Sequence, residues 1–152
     1  MPMRFNHMEL TFARGALDGE MRSDIDRFYG DVLGWRSGPY ELFDQKGHLL
    51  VPDEGQFILL MEVDEPIHSP SFDHLGLLQD TRQEVDEVLE ACRRVHEKDD
   101  RLRLKEFDDI VTPNVTQHAF YVRYLLPIWF DVCSLEYPPG GEPARRWRLT
   151  ET

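Results

Sequence analysis

Two histidines stand at the same point of two similar runs, Phe5-Asn6-His7-Met8-Glu9-Leu10 and Phe72-Asp73-His74-Leu75-Gly76-Leu77. Each run reads as a short strand, and each precedes an amphipathic helix pattern. A late carboxylate, Asp131, follows the run Phe120-Tyr121-Val122-Arg123. Two imidazole nitrogens and one carboxylate oxygen make a donor set for Fe, Mn, Ni, Co or Zn, with positions left over for a substrate. Taken singly, either histidine reads as a packed strand residue. Their matched placement is what points to ligation.

The elements that must position these groups repeat in order. In the first strand Met8, Leu10 and Phe12 share one face, and His7, Glu9 and Thr11 the other. The apolar face should pack under a helix and the polar face look into a cavity, which makes Glu9 and Thr11 candidate substrate-binding residues. The spacing of Ile25, Phe28, Tyr29, Val32 and Leu33 predicts a helix over about 23–33, capped by Ser23 and ended by Gly34. Strands are expected at about 35–44, 47–51 and 57–61, with turns at Gln45-Lys46-Gly47 and Pro52-Asp53-Glu54-Gly55. The second half begins with a strand at about 72–78. A helix at about 81–98 follows, opened by Thr81 with Glu84 as capping-box partner. Further strands are expected at about 102–107, 118–125 and 128–136. The expected class is α+β: one domain over 1–152, with a βαβββ module at about 4–64, a second at about 71–137, and an arm from 138 onward.

The motifs resemble those of the vicinal oxygen chelate superfamily, which includes glyoxalase I, bleomycin-resistance proteins, fosfomycin-resistance transferases and extradiol dioxygenases. Asn6-His7-Met8-Glu9-Leu10 is similar to the family's opening strand and Asp73-His74-Leu75-Gly76-Leu77 to the strand opening its second module. Phe28-Tyr29-Gly30-Asp31-Val32-Leu33-Gly34-Trp35 resembles its first-helix signature, the most specific match. Phe120-Tyr121-Val122-Arg123 resembles the penultimate strand of the dioxygenase branch. The resemblance implies paired modules whose sheets curve around a cavity, a homodimer, and metal ligands on the first strand of each module and the last strand of the second.

Carried over, those ligands are His7, His74 and a carboxylate that is Asp131 or its rival Glu136. The two lie five positions apart, so a regular strand sends them to opposite faces. The last strand of the first module, Phe57-Ile58-Leu59-Leu60-Met61-Glu62, shows an aliphatic residue where glyoxalase I has a carboxylate, with Glu62 only at its end. His118 and Tyr121 are candidate acid–base residues; Arg123 and Trp129 are candidate substrate contacts. The dull alternatives are a surface His118, an Arg123 paired with an acidic neighbour, and a Trp129 in the core.

Composition sets the outer bounds. The chain has 152 residues, 41% hydrophobic and 30% charged, with a formal charge of −12. That acidity disfavours nucleic acid and anionic membranes as partners and leans toward neutral or cationic ligands. No apolar run approaches the roughly 20 residues that span a bilayer. Two cysteines, Cys92 and Cys133, read as buried thiols, and a cytoplasmic protein is the simple expectation. The basic run Ala144-Arg145-Arg146-Trp147-Arg148 is a solvated tail or an arm docked on an acidic partner. Two functions compete: a metal-dependent enzyme (lyase, isomerase or dioxygenase) on a small molecule, and a metal-free, bleomycin-resistance-like protein that sequesters one. A fosfomycin-type transferase is disfavoured because the sequence shows no obvious basic cluster for a phosphonate.

Overall fold

A computed structural model describes residues 5–143; the basic run at 144–148 lies outside them. The described chain divides into two compact units, one running to Asp73 and including Tyr124–Ile128, the other comprising His74–Arg123 and the residues from Trp129.

The first unit contains β1 (His7–Ala13), α1 (Gly19–Leu33), β2 (Arg36–Leu42), β3 (Gln45–Asp53) and β4 (Gln56–Val63). Its sheet has the order β1-β4-β3-β2, with β1 parallel to β4 and the other pairs antiparallel. The second contains β5 (His74–Leu78), α2 (Arg82–His96), β6 (Arg103–Glu106), β7 (Ile110–Val111), β8 (Thr116–Arg123) and β9 (Trp129–Glu136). Its order, β5-β9-β8-β6, repeats the first, with the two-residue β7 added beside β8. The expected α+β class and the repeated βαβββ order are both present.

Alternation decides what each sheet buries. Leu10, Leu50, Ile58 and Leu60 are buried with Ile25, Phe28 and Tyr29 of α1, and the Tyr29 hydroxyl donates to the Tyr124 carbonyl at 2.8 Å. In the second unit Val85 and Cys92 of α2 are buried along with Phe120, Val122, Phe130 and Val132 of the sheet. Both cysteines are free and buried, and loss of water pushes the Cys92 thiol up to about 12 and the Cys133 thiol up to about 11.

Three local features mark where pattern and structure agree or part. Thr81 and Glu84 form the expected capping box at the start of α2, and Gly34 ends α1 in the left-handed region at φ 69°. The start of α1 differs: Asp18, not Ser23, caps it by accepting from the Met21 amide, and Glu20 adds a negative charge to the first turn. The first hairpin turn also falls earlier than expected. Phe43 and Asp44 make it, at φ 49° and 64°, the positive pair of a two-residue type I′ loop.

Candidate functional site

Register brings a set of polar side chains onto one face of the second sheet. In β8 and β9, His118, Phe120, Val122 and Phe130, Val132, Ser134 turn to the side where α2 lies, since His118 bonds Asp86 of that helix. Their neighbours therefore turn the other way. On that other face Lys105, Tyr121, Asp131 and Gly76 lie in one row across β6, β8, β9 and β5. Arg103, Arg123, Trp129 and His74 form the next row.

Asp131 is the centre of this face. It is only 7% exposed, and burial, the largest cause, holds its carboxyl above the usual carboxylate range against the pull of His74 and a Gln117 hydrogen bond. The Gln117 Nε2 donates to Oδ2 at 3.2 Å, while the buried Oδ1 has no hydrogen-bond partner. The His74 Nε2 lies 3.9 Å from Oδ2, too far for a hydrogen bond. Two ligands bound at about 2.0–2.2 Å to one ion sit roughly 3–4 Å apart, so this separation fits a shared metal. A carboxylate with one oxygen unpartnered and the other 3.9 Å from an imidazole nitrogen makes, with that imidazole, a donor pair that a divalent ion would complete.

The Tyr121 ring lies 4.9 Å from that of His74, tilted by 35°, and meets Phe107 edge-on at 5.2 Å. Its phenol pKa is raised by burial first and by the Asp131 charge second, so it stays protonated at neutral pH. Arg103 lies over the Trp129 ring at 5.8 Å. Gly76 leaves open space beside Asp131: a Cβ built there meets nothing within 4 Å.

In the first unit His7 is exposed on the face of β1 away from α1, with Glu9 and Thr11. The Asn6 side chain donates to the Gly55 carbonyl, which turns its Oδ1 toward His7 Nδ1 at 2.8 Å. That contact holds the proton on Nδ1 and leaves Nε2 as the basic nitrogen, an arrangement that metal-binding histidines use. The ring stacks flat on Phe57, 4.7 Å away and 2° from parallel. The Thr11 hydroxyl accepts from the Ile67 amide at 2.7 Å and so ties the linker to β1.

Several carboxylates and one histidine are placed elsewhere. Glu136 turns to the α2 side, where Arg82 holds it at 3.1 Å. Glu62 accepts from the Leu17 amide at 2.7 Å, and backbone bonds from Gly15 and Leu17 hold its carboxyl low, so it closes the β1–α1 loop. On the face of β4 shared with His7 stand Phe57, Leu59 and Met61, none of them a carboxylate. Among the described residues no three His, Cys, Asp or Glu side chains are gathered into a metal-holding group.

His118, the expected acid or base, stands on the α2 side, away from Asp131. Its Nε2 lies 2.8 Å from Asp86, and its Nδ1 lies 2.8 Å from both Asp109 and the Arg82 Nη1. Burial opposes its charge most strongly, but the bonds to Asp109 and Asp86 outweigh that and raise its pKa. Arg82 and His118 hold Asp109 down to about 2. A folded-state pKa above the usual 6.5 means that His118 contributes stability that is complete below about 6.5 and lost as pH rises through the folded value. Asp109 contributes above 3.8 and loses its share as pH falls toward 2. The unfolding midpoint of the natural chain should therefore fall more between pH 6 and 8 than that of His118→Gln. Parallel midpoints over that range in thermal melts would remove the histidine from the account.

Gln117, Arg103, Lys105, Gly76 and Asn6 are the site residues that sequence reasoning missed. Alternation through Gln117, Ala119 and Tyr121 was a usable signal for the first. The basic residues of β6 needed the register.

No protein family model matches the chain, and no curated protein matches its sequence. Solved structures do share its fold. A mutant of the fosfomycin resistance protein FosX from Listeria monocytogenes, complexed with Mn(II) and 1S,2S-dihydroxypropylphosphonic acid, is 15% identical with TM-score 0.62, covering 88% of this chain and 93% of that one. A glyoxylase/bleomycin resistance protein/dioxygenase domain from Frankia sp. EAN1pec is 16% identical with TM-score 0.59, covering 88% and 98%. A protein described as a glyoxalase family member from Bacillus anthracis is 14% identical with TM-score 0.58, covering 90% and 98%.

Proposed function

We propose that this chain, which has the fold of the vicinal oxygen chelate superfamily, is a metal-dependent enzyme acting on a small molecule. The observation that carries the reading is Asp131: a nine-tenths buried carboxylate with one oxygen unpartnered and His74 Nε2 at 3.9 Å from the other. Natural proteins leave few buried polar atoms unsatisfied, and such an atom calls for an explanation. His74 and Asp131 would hold the ion, and His7, kept by Asn6 with Nε2 available, is a third residue assigned a ligating role. A divalent ion bound there supplies Lewis acidity toward a substrate oxygen and stabilises negative charge developing on it.

The chain's own groups divide the remaining work. Gln117 donates to Oδ2 and so fixes the Asp131 carboxylate beside His74. Tyr121, protonated at neutral pH, donates a hydrogen bond to an oxygen of the bound molecule and returns no proton. Gly76 leaves the volume next to Asp131 in which that molecule sits. Gly76→Val should fold with unchanged stability, since nothing crowds a side chain there, yet lower small-molecule affinity about tenfold or more. Undiminished binding would show that the space is not used. His118 takes no part in the chemistry, because its imidazole is committed to Asp86 and Asp109 on the α2 side.

The test is titration with Mn(II), the ion named with the Listeria protein, followed by calorimetry or electron paramagnetic resonance. One Mn(II) per chain with micromolar or better affinity supports the reading, and no binding at millimolar Mn(II) overturns it. The second reading is a metal-free protein that sequesters a small molecule. The chain is proposed to act as a homodimer, because β1, β2, β5 and β6 are edge strands of their own sheets. Light scattering should give twice the 17.9 kDa chain mass, and the mass of one chain would refute it. No described helix is long and apolar enough to cross a membrane.

A further inference from the structure

The second sheet gathers cations where the sequence promised none. On the face away from α2, β6 places Arg103 and Lys105, and β8 places Arg123 directly opposite Arg103. Asp131 is the one carboxylate that β5, β6, β8 and β9 present on that face. The chain holds 29 Asp and Glu against 17 Lys and Arg, so three cations on one sheet face run against its composition. Several arginines are held by carboxylates: Arg14 by Asp64, Arg36 by Glu54, Arg82 by Asp109 and Glu136. Arg103 instead lies over the Trp129 ring and makes no ion pair among the described residues. A guanidinium held on an aromatic face keeps its N–H edge pointing outward for an anion.

The same face is aromatic. His74, Tyr121 and Trp129 lie in the two rows, and Phe107 packs on Tyr121. Strands β9 and β6 are two places apart in the sheet, a span of about 10 Å at ordinary strand spacing. One flat molecule can reach from the Asp131–His74 pair to the basic end across that distance.

We infer that the substrate is a planar organic anion, an aromatic carboxylate, whose carboxylate is bound by Arg103, Lys105 and Arg123 while its other end meets Asp131 and His74. This names the substrate class of the proposed enzyme and rests on that reading. It also reverses what net charge alone suggests: a formal −12 favours cations at long range, but screening confines that field to about 8–10 Å, and the face itself is locally basic.

The test uses benzoate as probe and benzamide, its neutral counterpart, as control, measured by calorimetry on the full chain. Benzoate should bind at least tenfold more tightly than benzamide. Arg103→Gln and Lys105→Gln, both at exposed positions, should each lower benzoate affinity about fivefold and leave Mn(II) affinity and the thermal midpoint unchanged. Equal binding of the two probes, undetectable benzoate binding, or indifference to both substitutions overturns the inference. Asp131→Asn separates the two proposals. It should abolish Mn(II) binding while benzoate is retained or tightened, since a negative charge leaves the face. If the natural chain binds no Mn(II) yet prefers benzoate through Arg103 and Lys105, the anion site stands and the metal reading falls.

Discussion

Asp131→Asn and His74→Ala should each lower Mn(II) affinity at least 100-fold, about 2.7 kcal/mol, while Glu136→Gln leaves it within twofold. The contrast follows from the pleat. Asp131 turns away from α2 beside His74, whereas Glu136, five positions on, turns toward α2 and is held by Arg82. The same Asp131 substitution should stabilise the metal-free protein. A carboxylate whose folded pKa lies above its unfolded value contributes most when protonated, and its contribution falls as pH rises through that folded value. At pH 7 the natural chain thus buries a charge at a cost, and Asp131→Asn removes it. The melting midpoint of the metal-free variant should therefore lie above that of the natural chain at pH 7. Loss of metal binding with gain of stability is the signature of a residue kept for function. A variant that loses both would make Asp131 a structural residue.

Gly47→Ala should destabilise the first unit by about 1–3 kcal/mol, the usual cost of overpacking a filled interior. A Cβ at this position would stand 2.3 Å from the Met61 sulfur and 2.6 Å from the Leu60 carbonyl oxygen. The sulfur ends a flexible side chain and can move aside. The carbonyl belongs to β4, and moving it disturbs the pairing of His48 with Leu60 and of Leu49 with Leu59. Since β4 also pairs with β1 from His7 to Ala13, the strain reaches the strand that carries His7. Denaturant melts should show a lower midpoint with an unchanged slope. Gly38→Ala, at an uncrowded position in the neighbouring strand, serves as the control and should melt close to the natural chain.

Gly47 also shows why some of the fold escaped the sequence. In Gln45-Lys46-Gly47 the glycine follows two polar residues, the composition of a turn, so a turn was the natural reading. Phe43 and Asp44 make the real turn although neither is a glycine, and an 89% exposed phenylalanine at positive φ is what no propensity predicts. The glycine is needed instead where two strands approach closely. Ser23 misled in a similar way, because Asp18 lies outside the apolar repeat that defines the body of α1. By contrast the βαβββ order, the Thr81–Glu84 capping box and the Gly34 stop were all legible, since each depends on residues within a few positions of one another.

The candidate site divides along the same line. That His7 lies on the polar face of β1 follows from alternation in one strand. The pairing of Asp131 with Gln117, the row that sets Lys105 beside Tyr121, and the separation of His118 from that row all depend on register between strands. A sequence does not state register. The absence of an obvious basic cluster in the sequence was a statement about neighbours along the chain, and the sheet assembles its cations from β6 and β8, about 20 residues apart.

Anomalous diffraction from a crystal soaked in Mn(II) tests the central claim most directly. The account predicts one strong peak per chain, within bonding distance of His74 Nε2 and of the Asp131 carboxylate, whose Oδ1 is the oxygen left without a partner. A map with no peak at that carboxylate, or with manganese at Glu136 instead, would contradict it.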